Sequence, residues 1–158
     1  MTEKIEKNIQ AALHAVCVSI THENGYDTDF NPANIHQVYN QRLADSKHDA
    51  EYPRAFVLLQ GGETEELIAE RLGLTLTYNI IFVCHAQEVD SVGTDPHSQC
   101  LDFIADFRRA LYRHNPSLGG LVHTATVNGY ITDSGALYPE GTVEVFVKCS
   151  LQAGFSEI

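Results

Sequence analysis

An alternating pattern from Thr142 to Leu151, in which every second residue from Val143 onward is apolar, constrains the fold more than any other feature of this sequence. Successive side chains on a β-strand point to opposite faces, so the segment predicts a strand with one buried face. A second apolar segment, Leu121 to Ile131, precedes it, and the connection between them contains Asp, Ser, Gly and Pro, which favours a hairpin. The predicted buried side chains of the later strand are Val143, Val145, Val147, Cys149 and Leu151.

The longest strand pattern runs from Leu74 to His85 and also alternates. A shorter apolar run, Arg54 to Leu59, lies before it and is followed by Gly61-Gly62, which we predict to be a turn or the base of a flexible arm. The predicted buried face of the long strand consists of Leu74, Leu76, Tyr78, Ile80, Phe82 and Cys84.

The segment Gln60 to Gly73, here called the arm, gives conflicting signals. Its Glu, Leu, Ala and Arg residues favour a helix, whereas its position between two strand patterns favours an extended hairpin. We predict an extended arm that is mobile in the free protein and is needed for assembly but not for folding. The candidate interface with another subunit or a partner protein consists of Glu63, Glu65, Glu66, Leu67, Ile68, Glu70, Arg71 and Leu72.

Two segments have the periodicity of amphipathic helices. In the first, Ile5, Ile9, Ala12, Leu13, Val16 and Ile20 form one stripe. The second begins at Asp95-Pro96, a capping carboxylate followed by proline at the first helical position. Its predicted buried stripe is Cys100, Phe103, Ile104, Phe107 and Leu111, and its predicted water-facing side is Asp102, Asp106, Arg109 and Arg113. Phe107 and Val145 should therefore stabilise the core, and Arg109 should contribute little.

The order helix, strands, helix, strands predicts an α+β fold. We expect two layers, a mainly antiparallel β-sheet packed against two amphipathic helices. The alternating strands support this prediction, because strands of a parallel sheet buried on both faces read as continuous apolar runs. The whole chain, residues 1–158, is expected to form a single domain.

The net charge of -11, from 21 acidic and 10 basic residues, disfavours two classes of partner. Nucleic-acid phosphates and anionic membranes would both repel such a surface. The N-terminus is charged at once, and no run approaches the ~20 apolar residues of a membrane span, so we expect neither a signal peptide nor a membrane anchor. The four cysteines are scattered singly in apolar patterns and are predicted to be reduced core thiols of a cytoplasmic protein.

Patterns for catalysis and for cofactor binding are weak. The sharpest alternative is a metal site from Cys84-His85 and His97-x-x-Cys100, but strand neighbours such as Cys84 and His85 point to opposite faces. Cys17 near His14 is better explained by core packing, and Ser134 beside Asp133 by a loop. We therefore predict no catalytic residues, no cofactor and no metal.

Several segments of the sequence resemble those of the tail terminator family of long-tailed bacteriophages, whose members are also described as minor tail or tail-completion proteins. They are Tyr52-Pro53-Arg54-Ala55-Phe56-Val57, the strand ending Tyr78-Asn79-Ile80-Ile81-Phe82-Val83, the helix from Asp95, the exit Pro116-Ser117-Leu118-Gly119-Gly120, and Tyr130-Ile131-Thr132-Asp133 leading to Tyr138-Pro139-Glu140-Gly141. The resemblance extends from the first helix to Leu151.

This resemblance implies an α+β protomer that forms a hexameric ring on the finished tail tube. The ring would stop tube elongation and present the surface that joins the head. Its partners would be further copies of itself, the tail tube protein and the head connector protein; DNA would pass through without specific binding, and no membrane is involved. The protein would occupy the host cytoplasm during assembly and then the virion tail. The alternatives are a head-completion or neck connector protein and a small metal-dependent enzyme.

Overall fold

A computed structural model of the chain describes residues 4–37, 52–66, 71–86, 95–114 and 116–154. Within these residues the order is a helix, one turn of 3-10 helix, three strands, a second helix and two strands. Their bounds are α1 Ile5–Val18, the 3-10 turn Pro32–Asn34, β1 Ile35–His36, β2 Arg54–Glu66, β3 Arg71–His85, α2 Pro96–His114, β4 Thr124–Thr132 and β5 Glu140–Gly154.

The strands form one five-stranded sheet in the order β1-β2-β3-β5-β4. β1 runs parallel to β2, and every other neighbouring pair is antiparallel. Both helices pack on the sheet, so the predicted α+β fold with a mainly antiparallel sheet is confirmed. We call the opposite face of the sheet, which carries Thr75, Thr77, Lys148 and Ser150, the open face.

The alternating patterns of β3 and β5 meet in one buried layer. Leu74 lies opposite Leu151, and Ile80 lies opposite Val145. Directly opposed residues of antiparallel strands share a face, so each register pair contributes two side chains to the layer under the helices. Every side chain predicted to be buried in these two strands is buried, which confirms both predicted faces.

β2 does not end at Gly61-Gly62, so the first of the two predictions for these glycines, a turn, is wrong, and the second, the base of a flexible arm, stays a prediction. The strand continues to Glu66, and a bulge between Leu59 and Gly61 absorbs the change of register. Glycine in a strand interior often marks such a bulge or a close approach. Gly62 is a close approach, because a Cβ there would lie 2.6 Å from Leu76 Cδ2.

α2 begins as the sequence predicts. The Asp95 carboxylate accepts the backbone N–H groups of His97 and Ser98 at 2.9 and 3.1 Å, and Pro96 is the first helical residue. Aspartate at this position satisfies backbone donors that have no partner inside the helix. The predicted stripe Cys100, Phe103, Ile104, Phe107 and Leu111 is buried, as the periodicity requires.

The predicted water-facing side of α2 is wrong at Asp106. Its side chain is only 3% exposed and accepts the Thr28 N–H at 2.7 Å. Arg109 is half-exposed, but its Nη2 donates to the Gly25 carbonyl at 2.9 Å and lies 3.4 Å from Asp106 Oδ1. The loop after α1 therefore folds over this side of the helix, and Asp106 and Arg109 hold it there by hydrogen bonds to its backbone.

Four phenylalanines join the layers at the centre of the core. Phe103 of α2 stacks on Phe82 of β3 with ring centroids 4.4 Å apart and an interplanar angle of 5°. Phe30, from the loop after α1, meets both rings edge-on at 5.9 and 5.8 Å. Phe107 lies 5.8 Å from Phe103 on the next turn of the helix. Such pairs add to the stabilisation that burial of the rings provides.

β4 begins at Thr124, three residues later than predicted, because a turn with positive φ at Leu118, Gly119 and Gly120 occupies the preceding residues. The first half of this edge strand is covered. The Tyr112 hydroxyl accepts the Val127 N–H at 2.5 Å, and the Pro116 carbonyl accepts the Ala125 N–H at 3.0 Å. No helix among the residues described is long and apolar enough to cross a bilayer.

Candidate functional site

The β2–β3 hairpin includes the described part of the predicted arm and presents two acidic residues, Glu63 and Glu65, to solvent. Glu63 and Glu65 are exposed and lie opposite Thr75 and Gly73, which places them on the open face. Arg71 is exposed and Leu72 is half-buried at the start of β3. Glu66 is the last residue of β2, whereas Leu67, Ile68 and Glu70 lie outside the described residues.

Extended strands replace the helical alternative for the described part of the arm. Glu66 pairs with Leu72, so the hairpin remains in register to the last described pair. β3 is also paired on its other side, where Arg71 and Gly73 lie opposite Gly154 and Gln152 of β5. The β3 half of the arm is therefore an interior strand of the sheet. The mobility of the arm stays a prediction, and we expect it chiefly in the β2 half.

The β2 half of the arm has an open outer edge in the part of the chain that the structure describes. β1 pairs only with Ala55 and Phe56, and Gln10 Nε2 reaches one further backbone carbonyl, that of Val57, at 2.7 Å. From Leu59 to Glu65 every residue is exposed. An edge of this kind offers unpaired backbone groups to another chain.

The open face beside the arm is polar and shallow. A depression of about 440 Å³ lies between Glu63 and Lys148, and a second of about 330 Å³ lies beyond it. Hydroxyl groups of Thr75, Thr77 and Ser150 supply both donors and acceptors there. This arrangement can form hydrogen bonds and ion pairs with a partner surface.

A group of titratable side chains lies at the far end of the open face, and sequence reasoning missed it. The Tyr52 hydroxyl donates to Glu140 Oε1 at 3.2 Å. The centroid of the Tyr52 ring lies 5.2 Å from the centroid of the His85 ring and 5.2 Å from the central carbon of the Arg54 guanidinium. Burial and the nearby Glu140 carboxylate raise the pKa of Tyr52. Burial, Arg54 and His14 lower the pKa of His36 on the neighbouring strand. Only the register of β2, β3 and β5 brings these groups together.

The four residues of the metal alternative divide into a pair and two separate histidines. Cys84 and Cys100 approach to 3.9 Å between sulfur atoms in the core. His85 turns its Nδ1 to the carbonyl of the next residue at 2.7 Å, and His97 is exposed at the start of α2. Among the residues described, no three His, Cys, Asp or Glu side chains are grouped as metal ligands. The ligand set of that alternative is therefore not assembled.

All four cysteines are buried free thiols, as predicted. Burial raises the pKa of Cys17 and of Cys149 to about 12. The hydrogen bond with Cys100, together with burial, raises the pKa of Cys84. Because the thiolate is the reactive form, each of these groups is held in its unreactive state.

The native protein should therefore resist thiol reagents. At about pH 8 an exposed cysteine reacts readily with Ellman's reagent. We expect the reagent to modify none of the four thiols as long as the protein stays folded. The same protein in guanidinium chloride should yield four. Fast modification of a thiol in the native state would contradict the burial of that residue.

Asp133 and Ser134 belong to the β4–β5 connection and are part of its framework. The Asp133 carboxylate accepts the Leu137 N–H at 3.1 Å and the Thr142 N–H at 3.4 Å, and Ser134 has a positive φ. The connection so formed exposes two large apolar side chains, Leu137 and Tyr138, the latter 71% exposed. These two residues lie beyond the His85 end of β3, whereas the arm lies at its Arg71 end.

No protein-family model matches the chain, and no curated protein matches its sequence.

Proposed function

We propose that this chain is a structural subunit of a bacteriophage or prophage tail, a terminator that forms a hexameric ring on the finished tail tube. The ring stops tube elongation and provides the surface to which the head connector binds. Its partners are other copies of itself, the tail tube protein and the head connector protein. It acts in the host cytoplasm during assembly and remains in the virion tail.

The observation that carries this proposal is the exposed arm. An acidic β-hairpin with an open outer edge extends the sheet at one end of β3, in the segment that corresponds to the assembly arm in the family resemblance. A strand edge and exposed charges are elements with which protein surfaces recognise each other. The arm is therefore suited to contact with another subunit.

A second feature supports a subunit that joins two structures. Leu137 and Tyr138 are exposed at the end of β3 opposite to the arm, in a connection fixed by the Asp133 carboxylate. Exposed aromatic residues in a rigid setting are typical anchors of protein interfaces. The molecule thus presents an acidic hairpin at one end of β3 and two exposed apolar side chains at the other.

Electron microscopy of purified phage tail tubes mixed with the protein tests the proposal. We expect a ring at one end of each tube and no further growth when tube protein is added. Because each protomer has a charge of -11, we expect rings to close on the tube rather than in free solution at low salt. Tubes without caps, or decoration along their length, would contradict the proposal.

Replacing Leu67 and Ile68 with serine should abolish tube capping and leave the melting temperature unchanged. Both residues belong to the predicted arm and follow the last residue of β2 in the sequence. The proposal requires that they contact a partner and not the core. Leu121→Ser is the control, because Leu121 is an exposed apolar residue outside the arm; capping should survive it. A large fall in melting temperature for the double variant would assign these residues to the core of the monomer.

A further inference from the structure

An exposed stripe on α2 has both apolar and basic character. Leu101, Ala105, Arg108 and Tyr112 are spaced so that they lie on one side of the helix, and all four are exposed. Arg113 is exposed on the following residue. Of the ten basic residues in the chain, three lie between Arg108 and Arg113. In a protein with a charge of -11 this stripe is a local exception.

Tyr112, at the C-terminal end of this stripe, is anchored by a hydrogen bond. Its hydroxyl accepts the Val127 N–H at 2.5 Å, while the residue remains 40% exposed. An aromatic ring fixed by a hydrogen bond loses little conformational entropy when a partner packs on it. No ion pair engages Arg108 or Arg113 in the described part of the chain.

We propose that this α2 stripe is the docking surface for the acidic arm of a second copy of the chain. The inference rests on the proposed ring function and names the contact between its subunits. Glu63 and Glu65 supply the negative charges, and Arg108 and Arg113 supply the positive ones. Most of the protomer surface repels another copy, so the contact of opposite charges selects one orientation.

The geometry of the monomer requires that the contact join two molecules. Glu63 and Glu65 lie on the open face of the sheet, whereas α2 packs on the other face. One copy therefore cannot bring its own glutamates to its own stripe. Because the arm and the stripe are different surfaces, each copy still has one of them free after binding. Contacts of this head-to-tail kind close into rings when the rotation between subunits permits.

Cross-linking between two variants tests the contact. Gly61→Cys places a thiol two residues before Glu63 on the same face of β2, and Ala105→Cys places one a turn away from Arg108; both positions are exposed, whereas the native thiols are buried. The two proteins, one of them labelled with heavy nitrogen, are mixed with a short bismaleimide, and mass spectrometry counts the mixed dimer. The control replaces Ala105→Cys by Lys7→Cys, an exposed position on α1. We expect about tenfold more mixed dimer from the stripe than from the control.

Charge exchange provides the decisive comparison. Glu63→Lys with Glu65→Lys on the arm protein, or Arg108→Glu with Arg113→Glu on the stripe protein, should each reduce the yield about tenfold. When the arm protein carries both Glu→Lys substitutions and the stripe protein carries both Arg→Glu substitutions, the yield of mixed dimer should be restored. Melting temperatures should be those of the parent variants, since every changed residue is exposed. Equal yields with the Lys7→Cys control, or no recovery on charge exchange, would overturn the inference.

The outcome separates this contact from the proposed function. Caps on tail tubes without the cross-link would retain the ring and reject the arm–stripe contact. The cross-link with charge-exchange recovery, in a protein that never caps tubes, would retain the contact and reject the terminator function.

Discussion

Replacing Phe103 with alanine should lower the free energy of unfolding by about 3–5 kcal/mol. The ring is fully buried, stacks on Phe82 at 4.4 Å and meets Phe30 edge-on, so its removal leaves a cavity between the helix, the sheet and the loop after α1. Phe107→Ala should cost a similar amount for the same reason, and Val145→Ala less, since fewer buried carbon atoms are lost. Urea denaturation followed by circular dichroism measures each value.

Leu101→Ala is the matched control for this set. It removes an apolar side chain from the same helix, but at a position that is 49% exposed, and should change the stability by no more than about 0.5 kcal/mol. If Leu101→Ala cost as much as Phe103→Ala, the rotation of α2 described here would be incorrect.

Asp106→Ala should cost about 2–4 kcal/mol, although the sequence pattern assigns this residue to the wet side of α2. The substitution leaves the buried Thr28 N–H without its acceptor and removes the carboxylate beside Arg109. Arg109→Ala should cost about 1 kcal/mol, because the Thr28 hydrogen bond persists and Arg109 is half-exposed. This replaces the expectation that Arg109 contributes little.

Asp102→Ala separates a specific role of Asp106 from a general effect of losing an aspartate. Burial, followed by the charges of Asp27 and Asp106, raises the pKa of Asp102, so its ionised form is disfavoured in the fold. Its removal should be neutral or slightly stabilising at neutral pH. Denaturation of Asp106→Ala, of Arg109→Ala and of the variant that combines them completes a double-mutant cycle for this pair. Equal losses for Asp102→Ala and Asp106→Ala would contradict the specific role.

Periodicity predicts the central part of this fold because both long strands have one buried face. In Leu74 to Cys84 and in Val143 to Leu151 every second residue is apolar, and burial of one face requires that pattern. The start of α2 is equally predictable from the sequence, since Asp95 and Pro96 act within a single turn of the helix. These features depend on local geometry, which the sequence displays directly.

The features that the sequence does not predict depend on distant residues. The helical periodicity assigns Asp106 to the polar side of α2, but the loop after α1 covers this residue and supplies the Thr28 N–H as a donor. Gly61-Gly62 suggests a turn, yet pairing with β3 carries the strand through these residues. In the candidate site, the composition of the arm is visible in the sequence, whereas its open edge depends on how little of β2 the short strand β1 covers.

β3 acquires its two neighbours at different times during synthesis. β2 comes directly before it, so this hairpin closes over a short distance, whereas β5 begins at Glu140, after α2 and β4 have been made. Pairings between distant segments form slowly because a long loop must close first. Until β5 arrives, one edge of β3 lacks its neighbour, and the layer under the helices lacks the side chains from Val143 to Leu151. The nascent chain is then most vulnerable to aggregation, and molecular chaperones have their clearest target on it.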